Sequence, residues 1–139
     1  MSHTPRISVR DVMKTRFDMV DGMTTVADAL IRMEHTETKC LVVDKRDEFD
    51  EYGMVMLSDI SEKVLSVDRA PERVNIYEIM SKPVITVAPE MDIRYCARLF
   101  ARFQLSRAPV VENGRVLGIV SHTDMVIRGW KASLENKGQ

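Results

Sequence analysis

The chain has 139 residues, of which 45% are hydrophobic and 29% are charged, a composition typical of one globular domain with a real core. Twenty basic residues against 21 acidic ones give a formal net charge of -1, whereas a general nucleic-acid binder usually carries a basic excess. No segment approaches the roughly 18 apolar residues of a membrane-spanning helix, and Met1–Arg6 contains no apolar signal core. The sequence therefore predicts a soluble, cytoplasmic protein with no nucleic-acid or membrane partner.

An internal repeat is the main signal in the chain. Val9–Met13 and Ile76–Met80 share the order apolar, polar, acidic, apolar, methionine, and each is predicted to form a short helical turn. A brief extended segment follows each turn, Phe17–Val20 in the first copy and Val84–Val87 in the second. Flanking prolines bound the second of these segments, because proline disfavours helix at the residue before it.

Each copy continues with an amphipathic helix. Its apolar positions have helical spacing, and they are Val26, Ala29, Leu30 and Met33 in the first copy and Ile93, Cys96, Ala97, Phe100 and Phe103 in the second. The start signals are Thr24 or Thr25 in the first copy and Pro89 or Asp92 in the second. Cys40 and Cys96 lie in apolar segments without a nearby cysteine, so they are predicted to be small core residues.

Two β-rich runs and a final helix complete each copy. Cys40–Val43 and Val116–Val120 are rich in β-branched residues. Asn113-Gly114 predicts a tight hairpin turn in the second copy, whereas Asp44 to Glu51 predicts a longer, solvated acidic loop in the first. The last helix is predicted to begin after Ser58-Asp59 and after Thr123-Asp124, since Ser and Asp are favoured N-caps.

These elements define an α/β (α+β) protein with two β-α-β-β-α repeats. The predicted boundaries are 7–65 for the first repeat, 66–73 for a linker, 74–131 for the second repeat and 132–139 for a flexible tail. One repeat alone buries little apolar surface. We therefore expect the two copies to pack sheet to sheet with pseudo-twofold symmetry, leaving clefts between them.

The ordered motifs resemble a tandem pair of CBS domains, named after cystathionine β-synthase, over residues 7 to 130. The second copy carries Arg107-Ala108-Pro109-Val110-Val111 and a segment from Gly118 to Asp124 that fits the family pattern Gly-apolar-apolar-Ser/Thr-x-x-Asp. The resemblance implies a stand-alone regulatory module, not an enzyme. Such a module binds an adenine nucleotide of the AMP, ADP or ATP type in the cleft, commonly forms a homodimer and signals to a separate effector protein. The alternatives are a ligand-independent dimerisation scaffold, or binding of S-adenosylmethionine or NAD.

A nucleoside site needs an acceptor for the ribose hydroxyls, a slot for the purine and donors for phosphate. An Asp at a helix start can accept from ribose, nearby hydroxyls add hydrogen bonds, and an Arg offers forked donors to phosphate. The predicted main site therefore contains Asp124, Ser121, Thr123, Arg107 and His122. The resemblance places the purine of this site against Thr15, Arg16, Phe17 and Asp18.

A second, weaker site is predicted in the first copy. Its members are Asp59, Ser58 and Lys39, with Lys82, Pro83, Val84 and Ile85 toward the purine. Met56 stands where the second copy has Ser121, so one hydroxyl is missing. Lys39 aligns with Arg107, and it keeps the positive charge but lacks the forked donors of a guanidinium. No cofactor is required, and no metal site is predicted, because the histidines have no Cys or carboxylate partners at ligand spacing.

Overall fold

The computed structural model describes residues 6–137 of the chain. Its α-helices are α1 (Val9–Val12), α2 (Val26–Arg32), α3 (Leu57–Ile60), α4 (Ile93–Phe103), α5 (His122–Asp124) and α6 (Ala132–Lys137). Its strands are β1 (Met19–Val20), β2 (Cys40–Val43), β3 (Gly53–Met56), β4 (Arg107–Glu112) and β5 (Arg115–Ser121). Single 3-10 turns lie at Thr36–Thr38, Pro71–Arg73 and Ile76–Glu78, and π-helical turns extend α3 over Ser61–Leu65 and α5 over Met125–Lys131. This is the mixed α/β class that the repeat predicts.

The chain forms two compact units that do not coincide with the repeats drawn from the sequence. The continuous unit is Arg16–Val84, and the discontinuous unit joins residues 6–15 to residues 85–137. The short helical turn that leads each copy, Val9–Met13 or Ile76–Met80, packs into the unit of the other copy. We call these segments the leading turns, and their exchange follows from where they bury their apolar side chains. Val9 and Val12 belong to the core that contains Cys96 and Phe100, whereas the turn at Ile76–Glu78 packs into the core of α2 and β2.

The discontinuous unit is built around the hairpin of β4 and β5. The two strands are antiparallel, with Arg107 opposite Ser121. Asn113 (φ 52°) and Gly114 (φ 77°) form the predicted turn, because a two-residue hairpin turn of this kind needs positive φ at both central residues. Val87 extends the sheet on one side by a parallel bridge to Val110, and Lys14 extends it on the other by an antiparallel bridge to Ile119.

The continuous unit repeats this arrangement. Its sheet has the order β1-β2-β3, with β1 parallel to β2 and β2 antiparallel to β3. Ser81 bridges Met54 of β3 as Lys14 bridges Ile119 of β5. Lys14 and Ser81 are therefore equivalent positions in the two units.

The predicted helix starts are confirmed for the long helices. Thr25 caps α2, its side chain accepting from the Asp28 N–H at 3.1 Å. Asp92 caps α4, accepting from the Arg94 N–H at 2.9 Å, and the Arg94 side chain also holds the pKa of Asp92 below its usual value. Of the predicted apolar positions, Val26 and Ala29 of α2 and Ile93, Cys96 and Phe100 of α4 are buried. Leu30 is 41% and Phe103 50% exposed, so the predicted apolar stripe is wider than the buried face of each helix.

Both cysteines are buried, as the sequence predicts. Cys40 is 1% exposed and Cys96 is fully buried, and both are free thiols. Burial raises the pKa of the Cys96 thiol to about 11, because an apolar environment disfavours the charged thiolate. Cys96 is therefore an inert packing residue.

The predicted start of the helix after each hairpin is wrong. The helix after each hairpin begins at Leu57 and at His122, directly after the strand, so the aspartates occupy the third helical position and are not N-caps. The predicted flexible tail at 132–139 contains α6, Ala132–Lys137, and residues 138–139 lie outside the described part. No helix within residues 6–137 is both long and apolar enough to span a membrane.

Candidate functional site

Asp124 lies where β5 passes directly into α5. Its Oδ2 accepts from the Ser121 N–H at 3.2 Å and from the Ser121 hydroxyl at 2.9 Å. The Ser121 Oγ in turn accepts from the Asp124 N–H at 3.1 Å. This reciprocal capping box fixes the carboxylate, and the Asp124 side chain is only 4% exposed. The predicted hydroxyl partner Ser121 therefore holds Asp124 in place.

Lys14 supplies the remaining contact of this carboxylate, and sequence reasoning missed it. The Lys14 Nζ lies 2.5 Å from Asp124 Oδ1. Lys14 is half-buried and belongs to the same unit as Asp124. Alignment of the two leading segments already places a lysine at this position where the other copy has Ser81, and that difference was the available signal.

The structure brings several other predicted residues of the main site to the same end of the hairpin. Arg107 pairs across the strands with Ser121 and donates from Nε to the Ser106 hydroxyl at 3.3 Å. The side chains of His122 and Thr123 are exposed in the first turn of α5. Thr15 is exposed directly after Lys14. A fixed carboxylate, a guanidinium and exposed polar groups thus share one region of the discontinuous unit.

The residues predicted to meet the purine belong to a different environment. Arg16, Phe17 and Asp18 are part of the continuous unit. The Asp18 carboxylate accepts from the Glu34 N–H at 3.0 Å and from the His35 N–H at 2.9 Å. Asp18 therefore secures the chain that follows α2, while the purine contact remains a prediction.

Asp59 is the equivalent carboxylate in the continuous unit, and it is less enclosed. Its Oδ2 accepts from the Met56 N–H at 2.8 Å. The Lys63 Nζ lies 3.9 Å from Oδ1, and the Asp59 side chain is 21% exposed. Met56 has no hydroxyl, as the sequence comparison predicts, and its side chain takes the place of the Ser121 oxygen in a capping box with Asp59. Ser58 is exposed beside Asp59.

The alignment of Lys39 with Arg107 is wrong by one residue. In the observed register Cys40 pairs with Met56, just as Arg107 pairs with Ser121. Cys40, which is 1% exposed, therefore occupies the position of Arg107. A one-residue slip moves a strand side chain to the opposite face of the sheet. Lys39 lies before the strand, exposed and with φ of 59°, and its phosphate contact remains a prediction.

The purine contact of the segment from Lys82 to Ile85 remains a prediction, and the structure shows other contacts for Lys82 and Val84. The Lys82 Nζ lies 2.6 Å from Asp50 Oδ2, and this contact, with backbone donors of the loop, lowers the pKa of Asp50 well below its usual range. Val84 donates its N–H to the Tyr52 carbonyl at 3.3 Å. Pro83 is exposed between them. These contacts lie at the hairpin end of β3, whereas Asp59 follows the other end of that strand.

Lys82 also lines a cavity of about 590 Å³ at this hairpin end. Val43, Lys45, Tyr77 and Met80 contribute to the same wall.

The last predicted member of the second site, Ile85, belongs to the discontinuous unit. Among the described residues, His, Cys, Asp and Glu side chains form no group of three that could hold a metal ion.

Comparison with known proteins identifies both copies. The CBS domain family model matches residues 9–66 and 76–129. An uncharacterised protein of Methanopyrus kandleri is 32% identical over 124 residues, which are 86% of this chain and 61% of that protein. The chain thus spans about three fifths of that relative's length.

Solved structures share the fold. A hexameric CBS-CP12 protein from bloom-forming cyanobacteria is 36% identical, with a TM-score of 0.84 over 88% of this chain and 71% of that one. A CBS domain pair solved with 5′-methylthioadenosine and S-adenosyl-L-methionine is 23% identical, with a TM-score of 0.74 over 91% of this chain and 99% of that one. The second likeness concerns the fold alone.

Proposed function

Because the chain belongs to the CBS domain family, we propose that it is a regulatory module that binds an adenosine-containing ligand and signals to a separate effector protein. The observation that carries the proposal is the pair of aspartates at the third position of a helix that directly follows a strand, Asp59 and Asp124. In each, a backbone N–H holds one carboxylate oxygen. Carboxylate oxygens oriented in this way suit the two hydroxyls of a ribose.

The neighbouring groups favour an adenine nucleotide over other adenosine compounds at Asp124. Arg107 lies across the strands from the cap of the Asp124 helix, and a guanidinium matches phosphate with paired donors. His122 adds an exposed imidazole in the same turn. AMP, ADP and ATP are therefore the first ligands to test, and S-adenosylmethionine and NAD are the alternatives.

The hydrogen bonding of Ser121 gives this residue a structural role. Its hydroxyl donates to Asp124 Oδ2 and accepts from the Asp124 N–H. Ser121 therefore serves the capping box, and we assign no reaction to this region.

Ligand binding is expected to raise the thermal stability of the full chain. A ligand at one hundred times its Kd stabilises the folded state by about 2.7 kcal/mol, which corresponds to a rise in Tm of several degrees for a chain of this size. The measurement is differential scanning fluorimetry with AMP, ADP, ATP, NAD and S-adenosylmethionine, followed by calorimetric titration of the ligands that shift Tm. In Asp59→Asn/Asp124→Asn the shift is expected to vanish, because an amide replaces one acceptor oxygen with a donor at each site.

The control for this experiment is Asp47→Asn, which changes a carboxylate on an exposed loop of the continuous unit. It should respond to ligands as the wild-type chain does. If none of the five compounds shifts Tm or releases heat with the wild-type chain, the proposed function is wrong.

A second candidate function, a scaffold that self-associates without a ligand, is favoured by an exposed apolar face. Val126 (52% exposed), Ile127 (50%), Trp130 (58%) and Leu134 (61%) recur with helical spacing along the π-helical turn and α6. Clustered exposed apolar residues commonly mark protein interfaces. In the homodimer that we propose, this face contacts a second copy of the chain.

Trp130→Asp is expected to weaken self-association at least thirtyfold, since buried tryptophans are frequent interface hot spots. Sedimentation equilibrium with and without AMP measures the change. Phe49→Asp is the matched control, because Phe49 is an equally apolar aromatic that is 87% exposed on a loop. A Trp130→Asp variant with the mass of the wild-type assembly would exclude this face as the interface. A dimer that is indifferent to every nucleotide would favour the scaffold.

A further inference from the structure

The ion pair between Lys14 and Asp124 uses the acceptor capacity that a ribose would need. A carboxylate offers about four lone-pair sites. Ser121 takes two of them through its N–H and hydroxyl, and the Lys14 ammonium takes a third at 2.5 Å. With the Asp124 side chain 4% exposed, the two hydroxyls of a ribose cannot both reach it while Lys14 is in place.

Lys14 is not a mobile surface lysine that meets Asp124 by chance. Its backbone donates to the Ile119 carbonyl and accepts from the Ile119 N–H, both at 2.9 Å. Gly118 permits this close approach, because a Cβ at Gly118 would lie 2.3 Å from the Lys14 carbonyl oxygen. The backbone of Lys14 is thus fastened to β5, and its side chain starts close to Asp124.

The other unit shows the same geometry without the lysine. Ser81 exchanges backbone hydrogen bonds with Met54 at 3.0 and 2.9 Å, in the place that Lys14 has beside Ile119. A serine side chain is short and uncharged, so it cannot neutralise a carboxylate as the Lys14 ammonium does. Within the described residues, Asp59 has only Lys63 as a cation within 4 Å, at 3.9 Å. Its side chain is also more exposed than that of Asp124.

We infer that Lys14 is a built-in competitor for the ribose acceptor at Asp124, so that the Asp59 site fills first and the Asp124 site fills only when Lys14 is displaced. This inference rests on the proposed function, since it concerns which of the two aspartates is available to an adenosine compound. It reverses the order of affinity that the sequence comparison predicts. Lys14 is the residue that determines this order.

The test isolates the Asp124 site in the full-length Asp59→Asn chain. Calorimetric titration with adenosine, which carries no phosphate, compares this chain with Asp59→Asn/Lys14→Ser, whose serine copies Ser81. Adenosine is expected to bind the second chain about tenfold or more tightly, because displacing a charge-assisted hydrogen bond no longer opposes binding. Asp59→Asn/Lys14→Arg, which keeps the cation, should remain as weak as Asp59→Asn alone. Asp59→Asn/Lys131→Ser controls for the change in net charge.

Three outcomes would overturn the inference. Equal adenosine affinity with and without Lys14 would show that the lysine does not compete. Weaker binding of AMP in Asp59→Asn/Lys14→Ser, with adenosine unchanged, would make Lys14 a phosphate ligand instead. A gain in affinity that persists after Asp124→Asn would place the ligand elsewhere. Far-ultraviolet circular dichroism confirms that each variant is folded, and Ser81→Lys gives an independent check, because it should weaken adenosine binding at Asp59.

These outcomes are separable from failure of the proposed function. If the wild-type chain binds adenosine compounds but Lys14→Ser changes nothing, the proposed function stands and the competition is wrong. If neither the wild-type chain nor any lysine variant binds an adenosine compound, both are wrong.

Discussion

Replacing Gly118 with alanine is expected to lower the free energy of unfolding by about 3 kcal/mol, at the upper end of what overpacking costs. The new Cβ would lie 2.3 Å from the Lys14 carbonyl oxygen and 3.2 Å from its carbonyl carbon. Both are backbone atoms and cannot rotate away. The clash therefore separates Lys14 from β5 and breaks both of its hydrogen bonds to Ile119.

Gly53→Ala is the matched control in the other unit. There the nearest atoms are the Ser81 carbonyl oxygen at 3.1 Å and the Met80 sulfur at 3.2 Å. A shift of a few tenths of an ångström relieves these contacts, so the expected loss is about 1 kcal/mol. Urea unfolding followed by circular dichroism measures both variants. A Gly118→Ala chain as stable as Gly53→Ala would show that Lys14 is not packed tightly against β5.

Replacing Asp124 with alanine is expected to cost about 3 kcal/mol of stability. The change removes the capping box with Ser121, for which about 1 kcal/mol is typical. It also leaves the half-buried Lys14 ammonium without its partner. Breaking a buried ion pair typically costs about 3–5 kcal/mol. We expect roughly half of that cost here, because Lys14 reaches solvent. Asp124 is thus a stabilising residue as well as a proposed ligand contact, which is why the binding experiments use asparagine.

Asp59→Ala provides the comparison, with an expected loss of about 1 kcal/mol. Its carboxylate accepts one backbone hydrogen bond, lies 3.9 Å from Lys63 and is 21% exposed. Urea unfolding of the two variants, without any nucleotide, gives the difference. If Asp59→Ala proves as destabilising as Asp124→Ala, the Ser121 hydroxyl and the Lys14 pair contribute little, and the inference about Lys14 loses its physical basis.

Features that depend on near neighbours in the chain could be predicted from the sequence. The sequence narrows the helix starts to Thr24 or Thr25 and to Pro89 or Asp92, and the structure selects Thr25 and Asp92, because a cap is a bond between residues two or three apart. Asn113-Gly114 was recognised as a hairpin turn because only a few residue types accept positive φ. The duplication can also be detected in the sequence, because each copy carries the same local patterns in the same order.

Strand register could not be read from those patterns. The sequence aligns Lys39 with Arg107 because both cations precede an apolar run, yet cross-strand pairing places Cys40 opposite Met56 and Arg107 opposite Ser121. Register depends on which face of the strand is buried and on the length of the connecting loop. The loop after β2 is longer than the Asn113-Gly114 turn, so the spacing along the chain did not reveal the pairing.

The repeat, the class of fold, the buried cysteines and the two aspartates that follow the hairpins can all be derived from the sequence. Two features appear only in the folded chain: each leading turn packs into the unit of the other copy, and Lys14 meets Asp124, 110 residues away. The physical reason is that caps and turns are satisfied by neighbours in the chain. Core packing and ion pairs depend instead on which distant segments bury the same apolar surface, and no spacing in the sequence records that choice.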